Sequence, residues 1–306
     1  MRKIIVIGSS NTDMVIRSER LPKPGETVMG GTFYMSPGGK GANQAVTAAR
    51  LGATVYFVAK TGDDLFGKEA IENYRDAGID TRFIRTEAQV ASGVALIMVD
   101  AKAENCISVA NGANNRLLPA DIDEVMSFVE EDDIVLLQLE IPIETVLYAI
   151  DEGWRRKARV VLNPAPAAPI PVAYFPKIYL LTPNRVEAEM LSGLPVSDME
   201  EAAKAMQKLH TLGIEVVVMT LGGEGALLSH RKGTKHFPAR KVEAVDTVGA
   251  GDVFNGALCV ALSEGKGIED AILFASVASS VSVTRNGAQT SIPDREELNI
   301  LIENLK

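Results

Sequence analysis

The chain has 306 residues, 46% of them apolar, and a formal net charge of −9. That length holds one large α/β domain or two small ones, and the apolar share suits a well-packed core. The negative balance argues against a nucleic-acid or anionic-membrane surface, and the two cysteines, Cys106 and Cys259, sit far apart in apolar runs and read as reduced core residues.

The first apolar run predicts a short buried strand over Ile4–Ile7. It is too short for a signal-peptide core, and no later run reaches transmembrane length, so a cytoplasmic location is expected. Residues 11–37 break the regular pattern and read as an antiparallel hairpin. A helix over Ala42–Leu51, a strand over Val55–Val58 and a helix over Gly67–Ala77 follow. Residues 92–110 break the pattern again, with strand-like runs Val94–Val99 and Cys106–Val109 around a polar turn, Asp100–Glu104. Beyond it come a helix over Ile122–Val129, strands over Ile134–Leu139, Val160–Leu162 and Ile178–Leu181, a helix over Glu200–Leu212 and a strand over Val216–Met219. Two helices, Phe254–Leu262 and Ile268–Val283, close the series. Short β-rich runs alternating with helical patterns predict a mostly parallel sheet flanked by helices. The two exceptional segments predict a small antiparallel sheet over one end of it. Their apolar residues occupy both faces, so the outer face needs a partner, and a second copy of the chain is the economical one.

A parallel sheet binds ligands at the carboxyl ends of its strands. Asn11, Glu140, Asn163, Asn184 and Thr220 each fall at a strand exit and are expected at one edge. The turn Asp246-Thr-Val-Gly-Ala-Gly-Asp252 opens an apolar helix. The free amides of Gly249, Ala250, Gly251 and Asp252 would form an anion cradle there, with Asp252 in the first helical turn. An acid beside an anion cradle suits phosphoryl transfer, with the acid taking the proton of the attacking hydroxyl. The segment Ser36-Pro-Gly-Gly-Lys-Gly-Ala-Asn43 lacks both P-loop spacing and a Rossmann fingerprint. Its glycines are expected to let backbone approach a polyhydroxy ligand, with Lys40 and Asn43 as donors. Asn11 and Asp13 lie two residues apart, hence on one face of an extended segment, and offer the mixed donors and acceptors that vicinal hydroxyls need. His210, His230 and His236 fall in helix or hairpin positions away from these clusters and read as structural.

These paired motifs resemble those of the ribokinase-like carbohydrate kinases, and the resemblance spans essentially the whole chain. It implies a single domain over 1–306 with a β lid built from about 11–37 and 92–110, and a homodimer formed through that lid. It implies ATP-dependent phosphorylation of a sugar, ribose at its 5-hydroxyl, with Asp252 as base. Asn11, Asp13, Gly39, Lys40, Gly41, Asn43, Glu140 and Asp252 would contact the sugar. Thr220, Leu221, Gly222, Gly223, Glu224 and Gly225, with Asn184, Gly251 and Ser276, would contact ATP. Asn184-Arg-Val-Glu187 matches a motif in which Glu187 organises Mg²⁺ through water. A K⁺ activator would be held by the Asp246 carboxylate, the carbonyls of Val248, Ser282, Arg285 and Gly287, and Ser291. Kinases of the family acting on fructose, a ketodeoxy sugar acid or a nucleoside are alternatives, as is a non-catalytic sugar or nucleotide sensor on the same fold.

Overall fold

The computed structural model describes residues 2–102, 104–230 and 233–304. Ala103, in the turn expected at 100–104, lies outside the described residues. Strand β1 (Ile4–Ile7) leads directly into β2 (Asn11–Arg17) and β3 (Thr32–Gly38), then α1 (Lys40–Arg50), β4 (Val55–Gly62), α2 (Leu65–Asp76) and β5 (Ile84–Glu87). The hairpin β6 (Gly93–Val99) and β7 (Asn105–Ala110) precedes α3 (Pro119–Ser127), β8 (Ile134–Leu137), α4 (Ile143–Arg155), β9 (Arg159–Leu162) and β10 (Leu180–Leu181). The chain continues through α5 (Arg185–Ser192), α6 (Met199–Thr211), β11 (Val216–Thr220), β12 (Ala226–His230), β13 (Gly233–Phe237), α7 (Ala250–Ser263), α8 (Ile268–Ser282) and α9 (Arg295–Glu303).

Nine strands form the main sheet in the order β13-β12-β11-β10-β9-β8-β1-β4-β5, parallel from β11 to β5. The last two strands turn back antiparallel at one edge, a third departure from the alternation. The central strands are four-residue runs buried on both faces, as a helix-covered parallel sheet requires. Ile4 and Val6 face one core with Phe57, Leu258 and Ala275, whereas Ile5 and Ile7 face the other with Val58, Ile122 and Leu209. Helix α7 lies under the sheet and packs against α1 and α8; its residues from Asp252 to Ser263 are all buried.

The second sheet has the order β3-β2-β6-β7. Its two hairpins are antiparallel, as expected, and they join through a parallel β2–β6 pair. The register puts Asp13, Val15, Ser36, Tyr34, Ala95 and Ile97 on the face toward the main body. The opposite face carries Ile16, Phe33, Met35 and Leu96, all exposed. Cys106 is exposed on β7 as well, not in the core, because β7 is an edge strand lying off the main body. Cys259 is buried in α7 and both thiols are free.

Helices α4 and α9, and strands β5 and β13, have no counterpart in the sequence reading. The starts of α5 and α9 are marked by side-chain caps: Asn184 Oδ1 accepts from Glu187 N, and Asp294 Oδ1 accepts from Glu297 N. Among the described residues no helix is long and apolar enough to cross a membrane. His210 ties the end of α6 to β12 through the Ile214 carbonyl and the Ser229 hydroxyl, a structural role.

Candidate active site

The N-terminus of α7 emerges at the carboxyl edge of the main sheet. Gly249 caps it with φ of 74°, a left-handed value that glycine adopts without strain. Three amides at this turn, those of Gly249, Gly251 and Asp252, have no acceptor among the described residues. The fourth, Ala250, donates to the Thr247 carbonyl at 3.3 Å. The unpaired N–H groups and the helix dipole make an anion cradle. A side chain at Gly251 would meet open space, so packing does not require glycine there; its absence keeps the cradle approachable.

Asp252 is 6% exposed. Its Oδ2 accepts from Asn43 Nδ2 at 2.9 Å and its Oδ1 from Gln44 Nε2 at 2.9 Å. Both donors lie on α1, so the segment expected to hold sugar also holds this carboxylate. A cavity of about 250 Å³ brings Lys40, Asn163, Asn184, Glu187, Thr220, Gly249–Asp252 and Asn255 together. Four of the five strand-exit residues therefore meet there or at its edge: Glu140 adjoins it, accepting from Lys40 N at 3.0 Å and from Ser9 Oγ at 2.6 Å. Glu140 thereby caps α1 and fixes the Lys40 turn. The Lys40 ammonium is held above its ordinary range, chiefly by the Asp252 carboxylate, with burial opposing.

The glycines at the start of α1 have a packing requirement of their own. A Cβ on Gly41 would lie 2.6 Å from Ser9 N, and one on Gly39 would lie 2.8 Å from Asn11 N. They let the start of α1 pack against the turn between β1 and β2, and Gly39 also has φ of 90°. The approach is to the chain's own backbone.

Asp13 lines a second cavity, about 270 Å³, between the inner face of the small sheet and residues 244–248 and 287–288. Burial above all, then the charges of Glu140 and Asp252, push its carboxyl up to about 7, with Lys40 opposing. Asn11 shares the buried face of β2 with Asp13 but does not line this cavity, and its Oδ1 accepts from Asn114 Nδ2 at 2.7 Å.

A third cavity, about 680 Å³ and mostly apolar, runs from the cradle along α7 and α8. Thr220, Gly222, Gly223, Gly225, Gly251 and Ser276 line it. Leu221 is buried in the core and Glu224 pairs with Arg185, so neither side chain faces it. The 220–225 segment is at once the turn joining β11 to β12 and one wall of this cavity. The opposite wall, Ala239–Val242 with Ala244, escaped the sequence reading because an irregular loop carries no periodicity.

Asn184 and Glu187 close a reciprocal capping box: Glu187 accepts from Asn184 N at 2.8 Å and from Nδ2 at 2.9 Å. Burial raises the Glu187 carboxyl, so a nearby cation would favour its charged form. Among the described residues no group of three or more His, Cys, Asp or Glu is placed to hold a metal ion. Glu187 therefore fits a divalent ion carried in by phosphates and touched through water, not a protein-built cage. Asp246 joins two loops, accepting from Val248 N at 3.0 Å and Gly287 N at 2.9 Å. The segment 285–291 thus closes on Asp246, and a donor set of carboxylate and carbonyl oxygens suits a monovalent cation. Arg285 itself turns its guanidinium to Glu297, and Ser291 Oγ donates to the Ala288 carbonyl, leaving lone pairs.

A family model described as pfkB family carbohydrate kinase matches residues 1–295. The chain belongs to that family. It is 42% identical to a ribokinase of Haemophilus influenzae over 298 residues, 97% of each chain. It is 38% identical to a deoxyribokinase of Salmonella typhi, again over 97% of each. A structure of Arabidopsis thaliana ribokinase complexed with ribose and ATP matches with a TM-score of 0.91 at 34% identity, covering 99% of both chains. The chain is a carbohydrate kinase with the fold of that family.

Proposed function

We propose that this chain transfers the γ-phosphoryl group of ATP to the 5-hydroxyl of D-ribose. The observation that carries the mechanism is the pairing of a buried Asp252 with unpaired amides one turn from it. Ribose lies in the cavity under the small sheet, near Asp13, Gly39, Lys40, Gly41, Asn43 and Glu140, with Asn11 supporting the strand that carries Asp13. ATP lies in the long cavity along Thr220–Gly225, Gly251 and Ser276, its phosphates directed to the cradle and toward Asn184. As the bond from O5 to Pγ forms and the bond to the ADP oxygen breaks, the hydroxyl proton passes to a remaining lone pair of Asp252. The amides of Gly249, Gly251 and Asp252 meet the charge that develops on the phosphoryl oxygens. The Ala250 amide joins them by giving up its 3.3 Å bond to Thr247. Lys40 adds a fixed positive charge beside the same carboxylate.

Mg²⁺ on the nucleotide would neutralise phosphate charge, with Glu187 holding one of its waters; K⁺ at Asp246, Val248, Ser282, Arg285, Gly287 and Ser291 would add positive potential beside the cradle. The chain acts as one domain over 1–306 whose small sheet covers the sugar, and the exposed outer face of that sheet pairs with a second copy. The kinase works in the cytoplasm. The 38% identity with a deoxyribokinase supports a second reading, in which 2-deoxyribose is the acceptor. An ADP-release assay over ribose, 2-deoxyribose, fructose, a ketodeoxy sugar acid and nucleosides tests both. Ribose is expected to give the highest kcat/KM; a preference for 2-deoxyribose replaces it with the second reading, and no turnover with any sugar overturns the proposal.

A further inference from the structure

Each oxygen of the Asp252 carboxylate accepts from a primary amide, and each of those amides is backed by another. Gln289 Nε2 donates to Asn43 Oδ1 at 3.1 Å, and Asn43 Nδ2 donates to Asp252 Oδ2 at 2.9 Å. On the other side Gln138 Nε2 donates to Gln44 Oε1 at 2.6 Å, and Gln44 Nε2 donates to Asp252 Oδ1 at 2.9 Å. Gln44 and Gln138 are 0% exposed. Buried amides are poor core material, since each polar atom needs a partner or costs stability. Two of them in series beside a catalytic carboxylate call for a reason beyond packing.

An amide can present either its NH₂ or its oxygen forward, and what lies behind it decides which. Gln138 donates into Gln44 Oε1, so that oxygen faces back and the NH₂ faces Asp252. The second hydrogen of Gln44 Nε2 goes to Asn163 Oδ1 at 3.0 Å. Turned over, Gln44 would set its oxygen against both the carboxylate and the Asn163 oxygen. Asn163 is held in turn, donating to the Thr182 carbonyl at 3.1 Å. Gln138 Oε1 has no hydrogen-bond partner among the described residues, although it is buried. The chain tolerates that unpaired oxygen while keeping the donor of Gln138 on Gln44.

We infer that Gln44 and Gln138 are positioning residues: Gln44 holds the Asp252 carboxylate in place for the attacking hydroxyl, and Gln138 acts only by keeping Gln44 the right way round. This rests on the reading of Asp252 as the base. The charged groups around the carboxylate are Lys40 from α1, Asp13 from β2 and Glu187 from α5, with Glu140 beside Lys40 and Asp13. None of them occupies the place of the Gln44 donor. Removing this donor therefore loosens the geometry of the carboxylate.

The test uses the full chain with ATP, magnesium and whichever sugar the ADP-release panel selects. Single-turnover rates are taken from pH 5 to pH 9 for Gln44→Met, Gln138→Met, the double variant and Asp252→Asn, with sugar affinity by calorimetry. Gln44→Met is expected to lower the transfer rate on the order of tenfold to a hundredfold across this range. Sugar Kd stays within about threefold. Gln138→Met lowers the transfer rate by less, and the double variant is no worse than Gln44→Met, because the effect passes through Gln44. If Gln44→Met fails to fold, Gln138→Met carries the test alone. A transfer rate within about threefold of native in the folded variants overturns the inference, as does a sugar Kd that weakens in step with the rate, or independent, additive losses. Asp252→Asn separates the two levels: if it keeps near-native turnover the base assignment falls and the brace with it. If it is inactive while the glutamine variants keep the native profile, only the brace falls.

Discussion

Asp252 combines burial, two amide donors and a place in the first turn of α7, and Asn at that position would keep the shape and lose the proton acceptor. Asp252→Asn is therefore expected to lower kcat by about a hundredfold or more while sugar affinity holds. Rapid-quench turnover beside sugar calorimetry checks this; near-native kcat contradicts the assigned role. Asp13 makes a different prediction. Its carboxyl is raised to about 7, mainly by burial. The folded chain then keeps a proton that the unfolded chain loses near pH 4, so stability without sugar falls as pH rises between about 4 and 7. Above that range the whole penalty is present. Asp13→Asn removes it, and the sugar-free variant should gain on the order of 1–3 kcal/mol, seen as a few degrees in Tm, at pH 8. The gain should vanish near pH 4. Thermal scans at the two pH values decide the matter, and an equal difference at both would show that the buried charge is not its source. The same variant should bind ribose more weakly while ATP affinity is unchanged, because a sugar hydroxyl loses a buried partner.

At the scale of elements, the turn from Asp246 into α7 couples a loop to the cradle. Asp246 holds Gly287 across 41 residues of sequence and Val248 within its own turn, and Thr247 next to it takes the Ala250 amide. A monovalent cation at Asp246 would settle this turn before ATP arrives. K⁺ is expected to raise activity more than Na⁺ does, and Asp246→Ala should lower the rate on the order of tenfold and abolish the response, since a misplaced cradle stabilises the transition state less. Titrating KCl against a bulky cation at constant ionic strength separates this from screening; a flat response in the intact protein would show that the loop carries no activating ion. Much of this element was legible in sequence, because small residues followed by an acid at the head of an apolar run mark a turn that opens a helix. The strands of the parallel sheet were legible too, as β-branched runs such as Ile134–Leu137, though their ends shifted by up to four residues, as where β4 runs on from Val58 to Gly62. Helix α4 was overlooked although its apolar positions recur at helical spacing and six of its residues are buried. The wall at Ala239–Val242 and the amides Gln44, Gln138 and Gln289 were not legible. Loop walls lack periodicity, and a glutamine's role depends on which residues lie behind it in space. The close contact of Gly39 and Gly41 with Ser9 and Asn11 was not legible either, since it depends on how α1 packs against the turn after β1.

For the molecule as a whole, the small sheet is the part that a lone chain leaves unfinished. Its inner face closes over the Asp13 cavity, whereas Ile16 (46% exposed), Phe33 (60%), Met35 (49%) and Leu96 (55%) stand together on the outer face. Four strands give this patch no second layer, and a sheet of this kind normally buries one face and presents polar residues on the other. A contiguous apolar patch on four paired strands fits an interface between two copies, each covering the other's sheet. The native chain should sediment at twice its 32.7 kDa mass at micromolar concentration. Placing lysines at Phe33 and Leu96 together should give a monomer, because each charge would have to be desolvated against apolar neighbours. Both positions point away from the core, so circular dichroism and Tm should stay near native. The lid would then lack its backing, and KM for the sugar should rise several-fold while kcat at saturating sugar changes less. A native chain that is monomeric and fully active at that concentration would remove the shared lid from the proposal. A Phe33→Lys, Leu96→Lys variant that stays dimeric would move the interface to another face.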